Sequence, residues 1–277
     1  MLEAFTALLK FALYAGVLSG SGAVFAQATQ DPLPDEAGYL ARVTRFGSAL
    51  VVGACPLITL VLILRLGGEF DDVTMSAVFA SGSGAALFLQ TAGALLLLTT
   101  ASDEASMLVR LSYAVLPVLG FAFSGHAAAV GPVDGFVAVL HVSAAAWWLG
   151  SLLYLHERCR HADPGRLGNI VARFSSIAFI ITGGLVIAGL TLVIILVDFS
   201  TDPWLLPYGQ ILGAKLCVVA ALLALAGYNR QRLTPRLLSG DRTAVTTLQR
   251  TIVVEMVLIA AVLAITAILT TFTSPHE

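Results

Sequence analysis

Charge is scarce in this 277-residue chain: only 12% of its residues are Asp, Glu, Lys or Arg, while 58% are hydrophobic. Mean hydropathy is +0.91. The three cysteines, Cys55, Cys159 and Cys217, are scattered with no CxxC pair. They imply no disulfide framework, and the two inside apolar runs, Cys55 and Cys217, read as small buried hydrophobes. There is no P-loop, no GxSxG and no HExxH, so nothing points to nucleotide or hydrolase chemistry and no enzyme is expected. A net charge of −2 gives no reason to expect a nucleic-acid partner.

What the chain has instead is a series of uncharged runs as long as the roughly 20 residues that a helix needs to cross a bilayer. Lipid cannot satisfy backbone donors and acceptors, and the runs show no period-2 alternation. The fold class is therefore all-α, a polytopic bundle in one membrane domain over 1–277. Eight spans are expected, near Phe5–Ala28, Phe46–Leu66, Val73–Thr100, Leu111–Ala129, Val133–His156, Ile170–Val197, Pro207–Tyr228 and Thr251–Phe272. Gly82 and Gly84 suggest that the third begins with a bent or interfacial turn, and Pro117 a kink in the fourth.

Basic residues set the expected orientation. Arg158, Arg160, Arg166 and Arg173 fall between spans five and six, and Arg230, Arg232, Arg236, Arg242 and Arg250 between seven and eight. These loops should be cytoplasmic, which puts both termini on the other side, with Glu69, Asp71, Asp72, Asp134, Asp198 and Asp202. The stretch "AVFAQA" from Ala23 to Ala28 resembles a signal-peptidase site, but cleavage would leave seven spans and export both Arg-rich loops. A retained first helix is expected.

Two histidines flank the Gly-Pro-broken stretch "SGHAAAVGPVDGFVAVLH" from Ser124 to His141. His126 falls at the outer end of span four, and His141 lies about 10 Å down span five from Asp134. Two imidazoles in an apolar setting make a candidate transition-metal site; alternatively each bonds a backbone carbonyl or caps a helix. Asp134 is a third ligand, an outer-shell partner or a helix cap, with the cap favoured. Trp148, seven residues beyond His141, shares its face. Trp147, Trp204 and Tyr208 need no special role. Lys215 lies near mid-depth of span seven and should face the bundle interior. Glu255 and Arg173 lie at similar depth near the cytoplasmic face, so an ion pair between them is expected, with a carboxylate at an inner exit as the functional alternative. "HERCRH" from His156 to His161 reads as the basic end of a span.

The segments "FSGHA", His141 with "AWWLGSLLYL", "RFS", "YGQILGAKL", "YNRQRLTPRL" and the glutamate of the last span together resemble the copper resistance D (CopD/PcoD) family, most closely from about residue 120 onward. The resemblance implies a multi-pass protein of the bacterial inner membrane. Such a protein handles copper with periplasmic copper-binding proteins of the copper resistance C type and moves it toward the cytoplasm. Copper would then sit on His126 and His141. With methionine limited to Met1, Met75, Met107 and Met256, a thioether relay is not expected, although Met75 lies on the outer side and is available to join the histidines. The alternative is a b-type haem electron carrier using the same histidines as axial ligands.

Overall fold

The computed structural model describes residues 1–68, 70–100, 105–124, 131–160, 164–197 and 203–273. Among these there is no strand. The helices are α1 (Leu2–Gln30), α2 (Pro34–Arg65), α3 (Asp72–Phe79), α4 (Gly82–Thr99), α5 (Met107–Leu119), α6 (Pro132–Cys159), α7 (Pro164–Leu196), α8 (Pro207–Tyr228), α9 (Thr234–Leu238) and α10 (Arg242–Phe272). A 3₁₀ turn, Gly120–Ala122, extends α5, and a π turn, Asn229–Leu233, joins α8 to α9. Among the described residues seven helices are long and apolar enough to cross a membrane, and Met107–Ala122 is a shorter apolar eighth.

Local chemistry marks the helix starts. Proline opens α2, α6 and α8, where its missing N–H is one the first turn does not use. Asp71, Ser81, Ser106 and Asp241 each accept a backbone N–H at the starts of α3, α4, α5 and α10. Hydrogen bonds from Thr243 and Arg236 hold the Asp241 carboxyl down at about 2. Ser81 interrupts the expected third span, so α3 is a separate short helix, as the glycines suggested.

Three helices begin earlier than the apolar runs do. α2 starts at Pro34 rather than near Phe46, α7 at Pro164 rather than Ile170, and α10 at Arg242 rather than Thr251. Hydropathy detects the part of a helix that lipid surrounds, while the backbone ladder continues past it into the polar interface. All three extensions lie at the same end of the bundle. Every arginine except Arg65 belongs to the connections at that end or to the helix halves leading from them.

The centre of the bundle is α1, which packs on α2, α5, α6 and α10. α4 fills in beside α2 and α5, α7 leans on α6, and α8 on α10. α1 and α6 touch backbone to backbone: a Cβ on Gly150 would collide with the Gly22 carbonyl, and one on Gly22 with that of Ala146. Small residues at helix crossings in lipid allow this approach. Gly150→Ala is expected to cost about 1–3 kcal/mol by forcing the helices apart. Gly53→Ala, where a Cβ meets nothing within 4 Å, serves as the control. Thermal unfolding in detergent checks this; equal midpoints for the two variants would contradict the crossing.

Side chains tie distant helices at both ends. Lys10 of α1 donates to the Thr270 carbonyl of α10 at 2.6 Å, and Tyr14 pairs with the Thr270 hydroxyl at 3.2 Å. Arg65 pairs with Glu3 at 2.6 Å. At the Arg-rich end Arg158 of α6 pairs with Glu36 of α2, both almost wholly buried. Trp147 donates to Thr29 of α1 at 2.9 Å and stacks on Phe174 of α7.

Candidate metal-handling site

His141 stands in the third turn of α6, half-buried against α7. Its Nδ1 is 3.2 Å from the Leu185 carbonyl oxygen. A carbonyl only accepts, so Nδ1 is the donor, and in the neutral ring Nε2 keeps its lone pair. This is how a metal-binding imidazole is usually oriented, with one nitrogen tied to a backbone acceptor and the other free to ligate. Gly189 makes room for the ring, since a Cβ there would stand 3.1 Å from Cε1 of His141. Lys215, half-buried on α8, lies within electrostatic reach of His141 and is a poor ligand while protonated.

The other expected members are less well gathered. His126 lies outside the described residues. Asp134 sits in the first turn of α6, where a carboxylate complements the helix dipole; the N-cap is Gly131, with no side-chain cap bond, so Asp134 is not the cap. Met75 is half-buried on α3. Among the described residues no three His, Cys, Asp or Glu side chains cluster to hold a metal. The two described histidines, His141 and His156, share α6 and are separated by about 22 Å of helix rise, too far to bracket one haem.

A second polar centre lies deeper. Glu255 of α10 is 2% exposed and accepts from Nδ2 of Asn229 at 2.6 Å, with Trp148 beside it on the cavity wall. The expected ion pair with Arg173 is absent among the described residues, and Arg173 is exposed on α7. Depth along the chain allowed that pair, but rotation about the helix axis separates the two. Asn229 owes its aim to the π turn. Pro235 lacks an N–H and crowds the carbonyl four residues before it, and a widened turn relieves both. Asn229 was missed at the sequence level because "YNRQRLTPRL" reads as a loop; the proline shortly after a helix-length run was the available signal.

Glu255, Asn229 and Trp148 open onto a cavity of about 740 Å³. It lies between α7 and α8, which are consecutive in the chain and share an apolar cluster of Val193, Val197, Tyr208 and Leu212 at their other end, and α6 and α10 close its back. Trp148 thus borders this cavity, whereas His141, though on the same helix face by spacing, is not among its lining residues. Arg230 ties the π turn to α7, donating to the Ser175 carbonyl at 2.6 Å and lying 4.7 Å over the Phe179 ring.

Long apolar helices carrying a few buried polar groups define a polytopic membrane protein. Residues 168–269 match the family of copper resistance protein D. Over that segment, from the first turns of α7 nearly to the end of α10, the chain is similar to copper resistance protein D, and its long apolar helices are those of a multi-pass membrane protein. The matched segment contains Arg173, Lys215, Asn229, Arg230 and Glu255; Met75, His126, Asp134 and His141 precede it. Searches of curated proteins and of solved structures give no match.

Proposed function

We propose that this protein takes copper from the extracytoplasmic side of a bacterial inner membrane and moves it toward the cytoplasm. The observation that carries the reading is the family match over α7–α10, with copper as cargo. Two features support the finer assignments. The concentration of arginines at one end supports a cytoplasmic assignment for that end by the positive-inside rule, with the opposite, Asp-bearing end left to meet the metal. His141 lies in the half of α6 that leads from this outer end, with its Nδ1 tied to the Leu185 carbonyl and the lone pair of the neutral ring on Nε2.

In this reading His141 and His126 are the outer ligands, and Asp134 or Met75 completes the set. A periplasmic copper-binding protein of the copper resistance C type delivers the metal. Lys215 near His141 disfavours a resting cation and so keeps the site weak enough to release its cargo. Glu255 is the carboxylate on the inner side of the path. Copper influx into proteoliposomes holding an internal fluorescent copper chelator tests the reading. We expect a signal well above that of protein-free vesicles, arising from molecules whose Arg-rich end faces the lumen. Influx no faster than in empty vesicles would refute transport.

A further inference from the structure

The cavity between α7 and α8 is far too large for a copper ion, and its chemistry points elsewhere. Its 740 Å³ falls within the range of small-molecule sites. Phe179, Ile180 and Ile187 line it and are strongly exposed, so in a bilayer the slot opens sideways onto acyl chains rather than onto water. At its inner end is an acceptor lacking a donor. Asn229 is 8% exposed and uses its amide nitrogen on Glu255, while its Oδ1 is buried with no hydrogen-bond partner. Such an orphaned acceptor is costly unless something donates to it. Beside it lie the Glu255 carboxylate and the face of Trp148.

We propose that this cavity binds a quinol from the bilayer, its hydroxyls donating to Asn229 Oδ1 and Glu255, its ring against Trp148, and its apolar tail leaving between α7 and α8. A phospholipid acyl chain fits the slot but brings no donor to the acceptors. A water satisfies Asn229 but leaves the apolar slot empty. Gly183 and Gly184 hold the slot open: both line the cavity, and a Cβ on either meets nothing within 4 Å. A larger side chain at Gly183 therefore fills the slot without pushing on the protein.

The test uses the full chain in phosphatidylcholine nanodiscs free of quinone, titrated anaerobically with a decyl-substituted benzoquinol while tryptophan emission is followed. Saturable quenching is expected for the wild type, because Trp148 borders the cavity. In Gly183→Leu the apparent Kd should rise at least about tenfold, a change of about 1.4 kcal/mol. The oxidised quinone, which has no hydroxyls to donate, should also bind several-fold more weakly. Linear, unsaturable quenching that is equal in both proteins would mean simple partitioning into lipid and overturn the proposal. So would saturable quenching unchanged in Gly183→Leu, which would put the ligand elsewhere, or displacement of the quinol by added phosphatidylglycerol together with equal binding of quinol and quinone, which would make it a lipid site. No copper is present, so failure here leaves the copper reading untouched.

Discussion

Replacing His141 by alanine is expected to weaken copper binding by more than about 100-fold, since even outer partners of a metal ligand are worth about 10–100-fold. The argument rests on the ring's orientation. Leu185 takes the Nδ1 proton and leaves Nε2 as the donor nitrogen, so the variant removes the ligand itself. Gly189→Ala should act through the same ring but more mildly. The added Cβ at 3.1 Å from Cε1 shifts the imidazole by a few tenths of an ångström and loosens the Leu185 bond, for a loss of about tenfold. Anaerobic copper titration against a chromophoric chelator reads both, with His126→Ala alongside. Wild-type affinity in a folded His141→Ala protein would place the metal elsewhere.

The largest stability effect should come from the Glu36–Arg158 pair. Each residue is 6% exposed, and each sits at the helix end whose dipole favours its charge, Glu36 in the first turn of α2 and Arg158 in the last turn of α6. Glu36 also accepts the Leu33 N–H at 2.8 Å, which closes the start of α2. Arg158→Met leaves a buried carboxylate without its counter-charge and should cost about 3–5 kcal/mol. The double variant Glu36→Leu with Arg158→Met removes both charges and should recover most of that loss, because an apolar pair carries no desolvation penalty. Unfolding in mixed micelles by a denaturing detergent gives the comparison. A double variant as unstable as the single would show that the charges contribute through something other than each other.

How much of this was legible in the sequence follows from what hydropathy measures. The number of apolar segments and their alternation could be read because lipid demands runs of a certain length. The starts of α2, α7 and α10 could not, since helices continue into the interface where charge is tolerated. That is why Glu36 was read as lying in a loop and its pairing with Arg158 went unseen. Counting residues puts Glu255 and Arg173 at similar levels along their helices. Which way each faces could not be read, because lipid and protein interior are both apolar and leave little amphipathic signal to set the rotation of a helix. The Leu185 carbonyl opposite His141 is a property of α7's position against α6 and carries no sequence mark.

The bond from Lys10 to Thr270 also constrains how the protein is made. The two residues are 260 positions apart, and Thr270 lies near the end of the last helix. At cellular elongation rates of about 5–20 residues per second, roughly 13–52 s pass between synthesis of the lysine and of its acceptor. Throughout that interval α1, the helix at the centre of the bundle, is in place without the Thr270 acceptor for its ammonium group. The biosynthetic machinery must therefore shelter that cation, or let it reach the membrane surface, until the ribosome has finished the final helix. Chains released early would carry an open seam beside α1, which is the feature a membrane quality-control protease can recognise.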